Sequence, residues 1–129
     1  GSHAPAELLK FSSKAIKIET NISDEQLSDL MKKARLSIAP LRFGGGVKGK
    51  IVEAMRHGLP VITTEIGAEG LDAQSKNMFV ASLANFSTKI IELYNNDALL
   101  NEISATAIKY VAANFSQSAM NQSVADLNL

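Results

Sequence analysis

Three consecutive glycines between two short apolar segments constrain this chain more than any other feature. The segment Phe43-Gly44-Gly45-Gly46-Val47-Lys48-Gly49-Lys50-Ile51-Val52-Glu53-Ala54-Met55 follows directly on Leu36-Ser37-Ile38-Ala39-Pro40. The leading part reads as a buried strand ended by Pro40, and the trailing part as an amphipathic helix. The glycines must therefore turn the chain from one into the other. Glycine lets the backbone approach a ligand closely and aim its N–H groups inward, and a helix N-terminus adds partial positive charge. Lys48 and Lys50 stand at the unfavourable end of that dipole, where a cation loses about 0.3–1 kcal/mol. A bound anion accounts for their placement, so Gly44, Gly45 and Gly46 with the two lysines read as a phosphate site.

The surrounding pattern alternates strands and helices. Residues 5–11 read as the tail of a helix, and the alternation of Ala15-Ile16-Lys17-Ile18-Glu19 predicts a strand over 15–19. Ser23-Asp24-Glu25-Gln26 is a capping box, with Ile22 and Leu27 as its hydrophobic staple, and the helix behind it aligns Leu27, Leu30, Met31 and Ala34. After the glycine loop, Gly58 and Pro60 stop the helix, and Val61-Ile62-Thr63-Thr64 is a β-branched strand. A loop over 65–76 leads to a last short strand over 78–81. The chain then turns helical: Phe86, Ile90 and Leu93 share one face, as do Leu100, Ile103, Ala107 and Val111, with Asn95-Asn96-Asp97 between them. Met120, Val124 and Leu127 suggest a third, weaker set. This order predicts an α/β fold in which a parallel sheet, with strands at 15–19, 36–39 and 60–64, is wrapped by helices and followed by a helical tail. Ligands of such sheets sit at the carboxyl ends of the strands, where the glycine loop would lie.

Charge and cysteine content narrow the partners. Thirteen basic and thirteen acidic residues cancel, so no global field recruits nucleic acid or an anionic membrane, and anion recognition must be local. The absence of cysteine excludes disulfides, thiolate metal sites and a cysteine nucleophile. No apolar run approaches a membrane span, and no signal peptide is evident. Gly1-Ser2-His3 reads as an expression-tag remnant, leaving 4–129 as one domain.

Three motifs overlap on the loop. Gly44-x-Gly46-x-x-Gly49 satisfies the dinucleotide fingerprint, with Glu65 ending the next strand, but the helix from Lys50 to His57 is short for that unit. Gly44-x4-Gly49-Lys50 spells most of a P-loop, yet Ile51 stands where a hydroxyl must hold magnesium. The third motif is longer. Residues 39–64, with Glu53-Ala54-Met55-Arg56-His57-Gly58-Leu59-Pro60-Val61 at their centre and Gly67-Ala68-Glu69-Gly70-Leu71 behind, closely resemble the group 1 glycosyltransferases, retaining enzymes of two-domain GT-B architecture.

That resemblance implies a partial Rossmann-like carboxyl-terminal domain that binds a nucleoside diphosphate sugar. In such a domain the N–H groups of Gly45 to Val47 would face the donor diphosphate, Lys48 and Lys50 would reinforce them, and Glu53 would contact the ribose. The first acid of the family's glutamate pair would fall at Gly45 and is absent, which leaves the contact to the transferred sugar unassigned. The resemblance further implies a metal-independent reaction without cofactor and a cytoplasmic setting, with the inner face of a membrane as a variant. The acceptor, a glycan, lipid or other hydroxyl compound, would be bound by an amino-terminal domain outside this chain. The chain is thus expected to be a fragment supplying donor-binding residues but no catalytic base, and inactive alone. A non-catalytic nucleotide-sugar module and a dinucleotide-binding oxidoreductase fragment remain as alternatives.

Simpler roles stand beside these. A surface ion pair between Lys50 and Glu53 at i,i+3 would account for both residues. His57 suits a helix C-terminus as a cation. Glu65 and Glu69 read as solvated loop residues, with the backbone of 67–69 as a second place where a donor could be met. No His/Asp/Glu cluster has metal-ligand spacing.

Overall fold

The computed structural model describes residues 6–115, which fall into two compact units divided between Leu30 and Met31. In the first unit a single helical turn, α1 (Ala6–Leu9), is followed by a local turn in which the Ser13 hydroxyl accepts from the N–H groups of Ala15 and Ile16. The strand expected over 15–19 does not form. Alternation alone gives a segment no strand partner, and here the serine turn engages the backbone donors at its start, while Ile16 is half exposed.

The capping box is made as the sequence requires. The Gln26 N–H donates to Ser23 Oγ at 3.1 Å, and the Ser23 N–H donates to Gln26 Oε1 at 2.8 Å. Two donors left over at the start of α2 (Asp24–Lys33) are thereby satisfied reciprocally.

The second unit is built on a three-stranded sheet, all parallel, in the order β1 (Ser37–Ala39), β2 (Val61–Thr63), β3 (Phe79–Val80). Ile38 is paired with Ile62, and Ile62 in turn with Phe79. All three residues of β2 are buried, so both faces of this central strand are covered, which is why it reads as an unbroken β-branched run. Between β1 and β2 lies α3 (Gly49–Arg56), which buries Ile51, Val52, Ala54 and Met55 and ends at Gly58 with φ +69°.

Beyond β3, a 3-10 turn at Leu83–Asn85 leads into α4 (Phe86–Tyr94), and α5 (Asp97–Asn114) follows. The Asn96 side chain caps α5 by accepting from the Leu99 N–H at 3.0 Å. Phe86 and Leu93 of α4 pack with Leu100 and Ile103 of α5 against Ile62 of the sheet and Ala81. Arg35 joins the two helix ends: its guanidinium lies over the Tyr94 ring, donates to the Tyr94 carbonyl and pairs with Asp97. Asn77, entirely buried, finds no partner for its amide among the described residues. Met120, Val124 and Leu127 lie outside the described residues, as does the tag remnant.

The candidate site is a pair of loops at the carboxyl ends of two strands

Because β1 and β2 are parallel neighbours, the segments that follow them leave the sheet side by side. One is the glycine loop, residues 40–48; the other is residues 64–72. Two threonines at the end of β2 join them. Thr63 Oγ1 donates to the Ala39 carbonyl at 2.8 Å, and Thr64 Oγ1 donates to the Leu41 carbonyl at 2.7 Å. The second loop closes on itself through the Ala68 N–H, which donates to the Thr64 carbonyl at 3.0 Å.

Within the glycine loop, Gly44 and Gly46 take φ of +119° and +77°, conformations that L side chains rarely adopt. Among the described residues, the backbone N–H groups of Gly44, Gly45, Gly46 and Val47 donate to no acceptor. Lys48 occupies the N-cap of α3 but its side chain caps nothing there. It folds across to the second loop instead: Nζ donates to the Gly46 carbonyl and to the Ile66 carbonyl at 3.2 Å, and stands 3.9 Å from Glu69 Oε2. Lys48 is mostly buried, whereas Lys50, in the first turn of α3, is exposed.

The ion pair considered between Lys50 and Glu53 is not made. Glu53 instead lies toward the carboxyl end of α3, with its oxygens 3.9 Å from Arg56 Nε and 3.7 Å from His57 Nδ1. The same His57 nitrogen is 2.9 Å from the Glu53 carbonyl, so the ring closes the last turn of the helix. Gly44 to Lys48 are thus gathered in one loop with Lys50 one step behind, while Glu53 keeps company with residues at the other end of α3.

The hydroxyls of Thr63 and Thr64 had no assigned role in the reading of the sequence, and Gly67 and Gly70, legible there as part of a glycine-containing motif, gain a packing role from the fold. Gly67 packs so closely on β2 that a Cβ would lie 1.8 Å from Thr63 Oγ1 and 3.2 Å from Ile51 Cδ1. At Gly70, where φ is +79°, a Cβ would come within 2.6 Å of Val47 Cγ2. The Thr-Thr pair ending a β-branched run and the spacing of glycines after it were the available signals. Gly67→Ala is expected to displace the buried Thr63 hydroxyl and lower stability by about 1–3 kcal/mol. Gly45→Ala, whose Cβ meets nothing within 4 Å, should stay within about 0.5 kcal/mol of the wild type. Denaturant melts of the two variants measure the contrast.

A parallel α/β unit with a glycine-rich turn at its strand ends and a helix behind that turn is of the Rossmann-like kind, whose ligands sit in general at the carboxyl ends of the strands. The family model described as "Glycosyl transferases group 1" matches residues 1–96, and the chain belongs to that family. It is also similar to an "Uncharacterized 44.6 kDa protein in cps region" of Klebsiella pneumoniae, 31% identical over 114 residues, a stretch that covers 85% of this chain and 29% of that relative. The chain therefore spans less than a third of the length of the curated relative it matches. No solved structure matches it.

Proposed function

We propose that this chain supplies the donor-binding part of a glycosyltransferase that moves a glycosyl group from a nucleoside diphosphate sugar to an acceptor hydroxyl. The observation that carries this reading is the run of N–H groups from Gly44 to Val47 that find no acceptor among the described residues, set at the carboxyl end of β1 beside the Lys48 ammonium. When the bond between the sugar and the diphosphate breaks, negative charge grows on the departing phosphate oxygen. Fixed N–H donors and a positioned ammonium favour that charge more than they favour the ground state, which is how they would lower the barrier.

In this reading Gly44, Gly45, Gly46 and Val47 hold the diphosphate through backbone, and Lys48 and Lys50 neutralise it. Glu53 accepts from the ribose hydroxyls once a nucleoside draws it from Arg56 and His57. No metal and no cofactor is invoked, because the loop itself meets the phosphate charge. The acceptor and its binding residues belong to the rest of the protein, at the inner face of a membrane if that acceptor is a lipid.

The test is a titration of the isotopically labelled chain with a nucleoside diphosphate in the presence of a chelator. The amide resonances of residues 44–47 should shift, and the purified chain alone should transfer no sugar. Unmoved loop amides at saturating nucleotide would remove the donor-binding role; shifts that vanish with the chelator would restore a metal to the scheme.

A further inference from the structure

Glu69 belongs to the second loop, yet two independent contacts seat it against the glycine loop. Its neighbour Gly70 lies against Val47 at a distance that excludes any side chain, and Lys48, bonded to the Gly46 carbonyl, stands 3.9 Å from its carboxylate. Gly67, wedged on Thr63, fixes the same loop from the other side. The position of residue 69 is therefore set by backbone packing rather than by the freedom of a surface loop.

What the carboxylate does there is not explained by the pair with Lys48 alone. At 3.9 Å the contact is longer than a hydrogen bond, and the Glu69 side chain is 55% exposed, so its acceptor positions remain open. A negative charge at the edge of an anion cradle opposes the anion it adjoins. Such a group becomes favourable when the ligand also presents hydroxyls, because an ionised carboxylate is purely an acceptor and binds O–H donors strongly. The glycine loop leaves its own side unobstructed, since a Cβ at Gly45 would meet nothing within 4 Å.

We propose that Glu69 is a specificity-determining residue, which accepts hydrogen bonds from hydroxyls of the sugar attached to the diphosphate, with Lys48 as its tether. This rests on the reading that residues 44–47 hold a diphosphate. It assigns the sugar contact to the second loop, beside Lys48.

The experiment compares the chain with Glu69→Ala, using uridine diphosphate against uridine diphosphate glucose, and guanosine diphosphate against guanosine diphosphate mannose. Binding is followed by amide shifts at 44–47 and 66–70, and thermal melts confirm that the exposed substitution leaves the fold intact. In at least one pair the variant should lose roughly tenfold in affinity for the nucleotide sugar, the size expected for a hydrogen bond to a charged group. Affinity for the bare nucleoside diphosphate should hold or rise. Equal tightening of both members of each pair would make Glu69 only the counter-ion of Lys48, and no change in either pair would leave it a solvated residue; both results overturn the proposal while leaving the diphosphate site standing. If the wild-type loop amides respond to none of the four ligands, the diphosphate reading falls and this proposal falls with it.

Discussion

Replacing Lys48 and Lys50 together with methionine should weaken nucleoside diphosphate binding by more than tenfold. Each charge-assisted hydrogen bond to an anion is worth on the order of 1.5–3 kcal/mol, so removing even one exceeds the tenfold mark of about 1.4 kcal/mol. The two lysines are not equivalent. Lys48 is mostly buried and donates to carbonyls of both loops, so Lys48→Met also releases the tie between them and should lower stability as well as affinity. Lys50 is exposed and makes no ion pair among the described residues. Lys50→Met therefore removes a cation from the first turn of α3 at no structural loss, and the unliganded chain should be as stable or slightly more so. Calorimetric titration of the single and double variants, with thermal melts of the ligand-free proteins, reads both quantities. Affinity unchanged in the double variant would refute the phosphate role and leave the glycines as a turn.

Ile103→Ala should be the most destabilising single truncation on α5. Ile103 is 1% exposed and sits in the cluster formed by Ile62, Ala81, Phe86, Leu93 and Leu100. Removing its branched side chain loses transfer free energy and opens a cavity between α5 and the sheet, together about 2–5 kcal/mol. With total stabilities of about 5–15 kcal/mol for a domain, that is a large fraction, and the melting temperature should fall by roughly 10 °C or more. Ile91, 63% exposed on α4, provides the comparison: its truncation to alanine should change stability by no more than about 0.5 kcal/mol. A comparable loss at both positions would mean that the α4–α5 layer is not organised around the Ile62 cluster.

Much of the local structure was legible in the sequence, because its determinants lie within a few residues of one another. Ser23 and Gln26 close their capping box three residues apart, Gly58 ends α3 where its positive φ is needed, and Asn96 separates α4 from α5 by capping the second. The apolar sets on α4 and α5 became their buried faces, since a period of 3.6 selects one side of a helix whatever the partner. The parallel sheet followed from the order of elements. The strand expected over 15–19 failed for a complementary reason: alternation describes one segment, and a strand needs two.

The loop pair marks the boundary between what the chain settles locally and what only tertiary structure decides. The sequence by itself determined that the chain must turn at Gly44–Gly46 between a strand and a helix, and that two lysines accompany the turn. Where Lys48 points was decided by the fold, through a carbonyl 18 residues away at Ile66. The threonine bonds that join the loops span 24 and 23 residues, from Thr63 to Ala39 and from Thr64 to Leu41. The Glu69 side chain was legible as solvated, with only the backbone of 67–69 read as a possible donor contact, and it came to the glycine loop because Gly70 admits Val47 against its backbone. Local spacing cannot encode such contacts, because they depend on the register in which β2 lies beside β1. That register belongs to the tertiary structure, so the turn is a property of the sequence and the candidate site is a property of the fold.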